Sequence, residues 1–389
     1  MTGGLTVELA RLITGQVFLH ASMAGMRLAT PLLALRHGYS EAAVGVLLAL
    51  FALTQVFLAL PAGRYADQHG LKRPFGFATI AAAAGCAMAV IWPVFPVLCV
   101  AALLTGGATG AASIALQRHV GRAAAGATQL RKVFSWLAIG PAFSNFLGPF
   151  AAGIAIDHGG FQLAFLLMAA LPLASWAWVR GTQELPPVPV PEGERPRPAW
   201  DLLRETHFRR LLLVNWLLSS CWDVHTFVVP VLGHERGLSA SVIGTILGAF
   251  AVAAVVIRIL LPVLAAHVRE WAVITGSMAA TAVLFCVYPL LGSALAMGLC
   301  SVLLGMALGS VQPMIMSMLH QITPEHRHGQ AVGLRLMAIN ASSVAMPMLF
   351  GLAGATIGIA GVFWAVGAVV AGGTRMSVRL RDADPHHSR

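Results

Sequence analysis

The sequence repeats itself at an interval of about half its length. Seven residues near the start recur 199 positions later, since 230 − 31 = 199 for the first pair. They are Pro31, Gly38, Ser40, Gly45, Leu48, Phe51 and Ala52, which return as Pro230, Gly237, Ser239, Gly244, Leu247, Phe250 and Ala251. Two similar halves in a hydrophobic chain are typical of secondary transporters, whose binding site lies where the halves meet. The repeat therefore predicts two related bundles.

The composition places the chain in a lipid environment. Of its 389 residues, 58% are hydrophobic and 10% are charged, and the mean hydropathy is +0.79. About a quarter of the residues in a soluble domain are charged, and a soluble protein of this length could not bury so much apolar surface. The five cysteines lie in or beside apolar segments without metal-ligand spacing. We therefore expect no metal, no cofactor and no disulfide.

The apolar residues fall into runs that are long enough to cross a membrane. About twenty such residues span the hydrocarbon core as a helix. The chain contains twelve runs, which predicts an all-α polytopic membrane protein with twelve transmembrane helices in two pseudo-symmetric six-helix bundles. The predicted spans are 12–35, 42–62, 75–92, 97–116, 133–156, 161–179, 211–232, 242–266, 272–290, 295–319, 331–352 and 357–371.

A charged, Pro-rich segment separates the halves. Six prolines lie between Arg180 and Arg210, a composition typical of an extended linker. Apolar and charged residues alternate from Trp200 to Phe208, which suits a short helix at the membrane interface. The predicted domains are an N-terminal bundle at 1–180, a cytoplasmic linker with an interfacial helix at 181–209, and a C-terminal bundle with a short tail at 210–389.

Positive charge lies almost entirely on one side of the predicted spans. Of the 25 Lys+Arg, 20 fall on the side of the two termini, three lie within spans, and only Arg36 and Arg236 lie on the opposite side. The positive-inside rule therefore places both termini in the cytoplasm. Since this bias accounts for the net charge of +10, we expect no nucleic-acid partner. The expected state is a monomer in a lipid bilayer.

The segment between the second and third predicted spans carries the most specific motif. It reads Gly-Arg-Tyr-Ala-Asp-Gln-His-Gly-Leu-Lys-Arg at 63–73 and resembles the G-x-L-A-D-R-x-G-R-K motif of the major facilitator superfamily. In that family the acid bonds across to the second half and stabilises the outward-open state, and the resemblance gives this role to Asp67. The other residues of this gating motif are Gly63, Ala66, Gly70, Lys72 and, one place late, Arg73.

The fifth predicted span carries a weaker motif. It is similar to the antiporter pattern G-x-x-x-G-P-x-x-G-G, with Gly148, Pro149 and Gly153 in matching positions. Small residues let helices pack closely in lipid, so helix packing explains the segment equally well. Proton antiporters of the family often carry an arginine in the fourth span, and this chain has none there.

Four charged residues are predicted to lie within the membrane. They are Arg27, Asp223, Arg258 and Arg335, in spans one, seven, eight and eleven. A charge at the bilayer centre costs about 2.5–3.5 kcal/mol on insertion scales, so each is a candidate site residue. The repeat places Asp223 and Arg27 within about one helical turn of equivalent positions. This predicts an Asp223–Arg27 pair across a central cavity.

Several of these candidates have a structural explanation as well. Arg258 and Arg335 could reach towards the cytoplasmic interface or lock helices eight and eleven together. His225 could relay protons or be a hydrogen-bonded packing residue. Asn145 and Asn340 could bind a ligand or another helix.

Three membrane arginines against one aspartate favour an anionic or amphipathic solute. The leading hypothesis is a secondary active transporter that moves a small organic solute by alternating access, with proton-coupled export and Asp223 as the proton site. The resemblance is to bacterial twelve-helix drug and metabolite proton antiporters of the cell inner membrane. The alternatives are an organic-anion importer or facilitator with an arginine clamp, and a transport-inactive membrane sensor or scaffold.

An enzyme is not expected, because the sequence carries no phosphate-binding glycine loop, metal-ligand cluster or catalytic-triad motif.

The repeat also aligns Asp67 with Ala266, which has no charge. This comparison predicts that gating is concentrated in the first half of the chain and ion coupling in the second.

Overall fold

The computed structural model describes residues 3–186, 198–238, 240–264 and 268–383, and these residues are almost entirely helical. The α-helices are α1 Gly3–Arg36, α2 Glu41–His69, α3 Lys72–Ile91, α4 Phe95–Ala123, α5 Gly126–Leu137, α6 Ile139–Val179, α7 Thr206–Glu235, α8 Ala240–Leu264, α9 Glu270–Val287, α10 Ala294–Ile322 and α11 His328–Val378. Short 3-10 helices lie at Ala199–Arg204, Tyr288–Leu290, Glu325–Arg327 and Arg379–Ala383.

Two of the α-helices, α6 and α11, each consist of two helical segments joined at a glycine. Gly160 interrupts α6 with φ 73°, and Gly358 interrupts α11 with φ 74°; a side chain would strain this left-handed conformation. Ten stretches of the described residues are long and apolar enough to span a membrane, and one of them, Gly126–Val179, has 54 residues, about twice what one crossing needs. Counting α6 and α11 as two helices each, and leaving out α5, whose 12 residues are too few for a crossing, gives twelve helices among the described residues, since 11 + 2 − 1 = 12. This count confirms the predicted all-α membrane fold.

The predicted fifth span is wrong in one respect, because 133–156 is not one continuous helix. α5 ends at Leu137, and α6 begins at Ile139. The cause lies in Pro141, which has no N–H to bond the carbonyl of Leu137 four residues earlier, while proline is tolerated in the first turn of the next helix. The break therefore leaves carbonyls at the C-terminal end of α5 that need other donors.

The helices form two compact units that each take a segment from the opposite half of the sequence. Unit 1 consists of Met1–Ala123, Ile139–Ala199 and Pro324–Ala341. Unit 2 consists of Ala124–Ala138, Trp200–Thr323 and Ser342–Arg389. α5 thus belongs to unit 2, and the start of α11 belongs to unit 1. The domain boundaries predicted at residues 180 and 210 divide the chain by sequence position, and they stay a prediction.

The linker is only partly described. Residues 187–197, which hold most of its prolines, and Ala266 lie outside the described residues. After the linker, the short helix predicted at the interface is the 3-10 helix Ala199–Arg204. Its Leu202 is buried, whereas Trp200 is 52% exposed, which is the division that an interfacial segment requires.

The 199-residue repeat extends to the packing inside each unit. In unit 1 a side chain at Gly106 of α4 would overlap the carbonyl oxygen of Phe51 in α2. In unit 2 a side chain at Gly305 of α10 would overlap the carbonyl oxygen of Phe250 in α8. Since 305 − 106 and 250 − 51 are both 199, the same glycine lets the same helix pair approach closely in both halves.

Candidate functional site: two buried acid clusters and the charges of the predicted spans

Asp67 binds the first turn of α11. Its Oδ1 accepts hydrogen bonds from Nε of Arg118 at 2.7 Å and from the backbone N–H of Gly329 at 2.8 Å, and its Oδ2 accepts from the N–H of Gln330 at 3.0 Å. The side chains of Asp67 and Arg118 are 6% and 2% exposed. The first amides of a helix have no partner within it, so a carboxylate there is stabilised by hydrogen bonds and by the helix dipole. We call Asp67, Arg118, Gly329 and Gln330 the Asp67 cluster.

The glycines of the gating motif have distinct local roles. A side chain at Gly63 would overlap the backbone of Gly329, and the reverse also holds, so this pair sets the close approach of α2 and α11. Gly70 adopts φ 75° at the end of α2. A side chain there would also overlap the carboxylate of Glu184, which accepts hydrogen bonds from the N–H groups of Leu71 at 2.6 Å and Lys72 at 3.0 Å.

The two basic residues of the motif are less engaged. Lys72 is half-buried and Arg73 is exposed. Within the described ranges, neither side chain makes a hydrogen bond or ion pair. The geometry therefore concentrates the motif's contacts at Gly63, Asp67 and Gly70.

A second acid, Glu270, lies at the first residue of α9 and is 3% exposed. Its Oε2 pairs with Nη1 of Arg131 at 2.9 Å. Its Oε1 accepts from Oγ of Ser317 and from Nε2 of Gln321, both at 2.7 Å. This Glu270 cluster lies within unit 2 and joins α5, α9 and α10. Sequence reasoning missed it because Glu270 stands at the edge of a predicted span, where acids are usually solvated.

The two clusters are related by the repeat. Arg118 and Ser317 are 317 − 118 = 199 residues apart, and Arg131 and Gln330 are 330 − 131 = 199 apart. Asp67 binds Arg118 of α4 and Gln330 of α11. Glu270 binds Ser317 of α10, the repeat equivalent of α4, and Arg131 of α5, the repeat equivalent of the start of α11. The second half thus carries its own buried acid cluster, four positions beyond Ala266, and the idea that gating is concentrated in the first half stays a prediction.

Arginines also hold the two described ends of the linker. Arg122 donates to the carbonyl of Pro186 at 2.9 Å and pairs with Glu325 at 3.0 Å. Arg327 donates to the carbonyl of Pro198 at 3.0 Å. Glu325 is 54% exposed, so its pair with Arg122 stabilises the protein weakly.

Asp223 lies near the middle of α7 and is half-buried. Its carboxylate accepts from Oγ of Ser343 in α11, at 3.3 Å to Oδ2 and 3.5 Å to Oδ1, and both bonds are long. Among the described residues of unit 2, the carboxylate has no cation partner. Arg27 belongs to unit 1 and is exposed. The Asp223–Arg27 pair stays a prediction.

His225, two residues further on, is fully buried. Its Nε2 lies 2.9 Å from Oγ of Ser301, which in turn lies 2.8 Å from the hydroxyl of Tyr288. The imidazole stacks on Phe250 with ring centres 4.0 Å apart. These contacts are those of a hydrogen-bonded packing residue, and a proton-relay role for His225 stays a prediction.

The other two arginines of the predicted spans have different surroundings. Arg258 is 9% exposed and donates to backbone carbonyls of Gly309 and Ala138. It ties α8 to α10 and α5, and no bond to α11 is found for it in the part of unit 2 that is described. Arg335 in unit 1 is 5% exposed, and its Nε is buried with no hydrogen-bond partner among the described residues.

The remaining sequence candidates are dispersed. Asn145 is exposed, and Asn340 is half-buried. A side chain at Gly148 would overlap the backbone of α1, whereas one at Gly153 would meet nothing within 4 Å. In the fifth-span motif, the helix contact is therefore made by Gly148, and Pro149 lies inside α6.

A comparison with models of protein families identifies the family of this chain. A sequence model of the Major Facilitator Superfamily matches residues 12–231 and 211–389. No curated protein matches the chain in sequence. Among solved structures, the human organic anion transporter MFSD10 (TETRAN) has a TM-score of 0.81 at 15% identity, covering 96% of this chain and 99% of its own.

A bacterial homologue of the iron transporter ferroportin in an outward-facing state is similar too. Its TM-score is 0.79 at 15% identity, covering 96% and 99% of the two chains. The same protein soaked with iron gives 0.77 at 14% identity, covering 96% and 98%. At these identities the likeness shows the fold alone.

Proposed function

Because the chain belongs to the Major Facilitator Superfamily, and is therefore a multi-pass membrane transporter rather than an enzyme, we propose that it is a proton-coupled secondary active transporter. In this proposal it exports a small organic solute by alternating access. Asp223 carries the proton.

The observation that carries the proposal is the environment of Asp223. Among the described residues of unit 2, its carboxylate has the Ser343 hydroxyl at 3.3 Å as a partner and no cation. An ionised carboxylate near the middle of a membrane costs about 2.5–3.5 kcal/mol on insertion scales. Taking up a proton removes that charge, so Asp223 is suited to bind a proton in one state and release it in another.

The cytoplasmic clusters supply the conformational half of the mechanism. The Asp67 cluster joins α2 and α4 to the start of α11, and the Glu270 cluster joins α5 to α9 and α10. Each therefore connects residues from the two halves of the sequence. Alternating access requires such contacts to break and re-form as the central site is exposed to one side and then the other. We propose that both clusters close the cytoplasmic side.

Flux measurements in proteoliposomes test the coupling. A panel of labelled organic solutes is first screened by counterflow, which needs no driving force. For the solute that exchanges, an imposed pH gradient should raise net flux in the wild type but not in Asp223→Asn. Asp157→Asn removes an exposed acid and serves as the matched control. Flux that ignores the pH gradient in the wild type would remove the coupling claim.

Membrane location and direction are part of the proposal. The 20-to-2 distribution of basic residues supports cytoplasmic termini in a cell inner membrane, and we propose a monomer. Inside-out vesicles should accumulate the solute when their lumen is acidified, since an exporter moves solute away from the cytoplasmic face. Accumulation in right-side-out vesicles only would mean import.

A second candidate is an organic-anion importer or facilitator. Arg335 favours it, because a buried guanidinium whose Nε has no partner among the described residues would gain from binding an anion. Arg258 does not add to this clamp, since two carbonyls occupy it. Counterflow with labelled carboxylic acids, lost in Arg335→Gln and independent of pH gradient, would favour this candidate. Absence of flux for every solute would favour a transport-inactive sensor or scaffold.

A further inference from the structure

Arg258 binds the backbone at the break between α5 and α6. Its Nη1 donates to the carbonyl oxygen of Ala138 at 3.1 Å, and its Nε donates to the carbonyl oxygen of Gly309 at 3.2 Å. Its guanidinium lies over the ring of Trp222, with Cζ 5.8 Å from the ring centre. The arginine is thus directed by three contacts, and two of them are to backbone.

The packing of α8 against α10 brings Arg258 to this position. A side chain at Gly309 would come within 2.7 Å of the Cα of Ala254 and within 2.8 Å of Ile257, so glycine is what lets α8 lie against α10 here. Arg258 follows Ile257 directly, and its guanidinium therefore reaches past the contact to α5.

The end of α5 is a favourable place for a cation. The last carbonyls of a helix have no donors within it and carry a partial negative charge, and Arg258 binds the carbonyl of Ala138, the residue that caps α5. In a buried setting an unpaired carbonyl is costly, and a charged donor forms a stronger hydrogen bond than a neutral one. Arg258 therefore stabilises the break at Ala138.

α5 is held to unit 2 from its middle to its end. Near the middle of the helix, Arg131 pairs with Glu270 at 2.9 Å. In between, Phe134 packs on His320, with ring centres 4.9 Å apart. At its end, Ala138 binds Arg258. Ala138 is also the last residue of the segment that unit 2 takes from the first half of the sequence, so the arginine acts where the chain leaves the unit.

We propose that Arg258 is a positioning residue of the transport cycle, which anchors the C-terminal end of α5 to unit 2 and is not a ligand for the solute. The Arg131–Glu270 pair is the second anchor of the same segment. This inference rests on the proposed function only in that a transport cycle must release α5 and bind it again.

The test measures how often α5 leaves its site. Ser135 of α5 is fully buried, and Ser135→Cys adds a thiol with little change in size. A soluble maleimide should label this cysteine in nanodiscs only when α5 leaves its site, so the labelling rate reports release of α5. The labelling rate of the five native cysteines is measured in the parent protein and subtracted. Arg258→Gln should raise the rate roughly tenfold, since a charge-assisted bond is lost. Arg335→Gln removes a buried arginine of unit 1 and should leave the rate unchanged.

Transport kinetics give the second readout. As a positioning residue, Arg258 should affect the maximal flux, so Arg258→Gln should lower it and leave the KM for solute within about twofold. An unchanged labelling rate, or a raised KM with unchanged labelling, would overturn the inference and make Arg258 a ligand. If Arg258→Gln does not fold, Arg258→Lys replaces it, because lysine keeps the charge but lacks the planar guanidinium with several donors. A labelling rate in Arg258→Lys equal to that of the wild type would again overturn the inference that Arg258 anchors α5. Faster labelling in a protein without flux would support the anchor and refute the proposed function.

Discussion

Asp67 and Gly329 are 262 residues apart in sequence, yet the Asp67 carboxylate accepts the Gly329 N–H at 2.8 Å. The bond joins an acid in the last turn of α2 to the first turn of α11, where free amides and the helix dipole favour a negative charge. Because both groups are nearly buried, the bond and the Arg118 pair that supports it form in little water. Predictions about gating follow from this contact.

Asp67→Asn should loosen the start of α11. The change keeps the shape but leaves Arg118 buried without its carboxylate, and breaking a buried pair costs about 3–5 kcal/mol. We expect a cysteine at the buried position Ala331 to be labelled at least tenfold faster in Asp67→Asn, with a lower maximal flux. Asp157→Asn should change neither. The double variant Asp67→Asn with Arg118→Gln removes the lone charge and should recover part of the lost thermal stability.

Glu270→Gln should loosen α5 in the same way, because Glu270 and Asp67 occupy equivalent clusters. The expected effect is a comparable rise in labelling at Ser135→Cys, larger than the rise at Ala331→Cys. Glu325→Gln, which removes an acid that is 54% exposed, is the control and should have little effect. If Glu270→Gln resembled its control, the second cluster would have no part in gating.

The two motif glycines of α6 should respond differently to alanine. A methyl group at Gly148 would overlap the carbonyl of Ala21 and come within 2.8 Å of the Gly25 nitrogen, while one at Gly153 would meet nothing within 4 Å. Overpacking costs about 1–3 kcal/mol, so Gly148→Ala should lower the melting temperature by several degrees. Gly153→Ala should be neutral or slightly stabilising, because alanine favours helix more than glycine does. Equal losses would contradict this packing.

The predicted Asp223–Arg27 pair can be tested by substitution of each residue and by their exchange. If the two charges interact in the transport cycle, Asp223→Asn and Arg27→Gln should each impair net flux driven by a pH gradient by about tenfold or more. The exchange of both residues, Asp223→Arg with Arg27→Asp, should restore part of it. Full activity in both single variants would rule the pair out.

The sequence was sufficient for the fold, because the length and spacing of apolar runs determine how many helices a membrane accommodates. Asp67 was predictable too, since its surrounding glycines form a specific motif. The break at Ala138 was harder, although Gly140-Pro141 was its signal. Every residue has a backbone carbonyl, so contacts with carbonyls, such as those of Arg258, cannot be predicted from residue types. In the sequence, a structural arginine and a ligand-binding one therefore look alike.

Glu270 shows what a fuller use of the repeat would have found. Its own equivalent at the 199-residue offset is Leu71, so a comparison of acids alone gives no match. Its partners do follow the offset, since Arg131 and Ser317 are equivalent to Gln330 and Arg118. The repeat conserves the positions that surround the acid and shifts the acid itself by four residues, about one helical turn.

The central claim is that Asp223 carries a proton during transport. Proteoliposomes that contain a trapped pH-sensitive dye measure proton movement directly when the solute is added outside without a pre-set gradient. The wild type should move protons opposite to the solute at a rate proportional to solute flux, and Asp223→Asn should keep solute counterflow but move no protons. Solute-dependent proton movement in Asp223→Asn equal to that of the wild type would contradict the account.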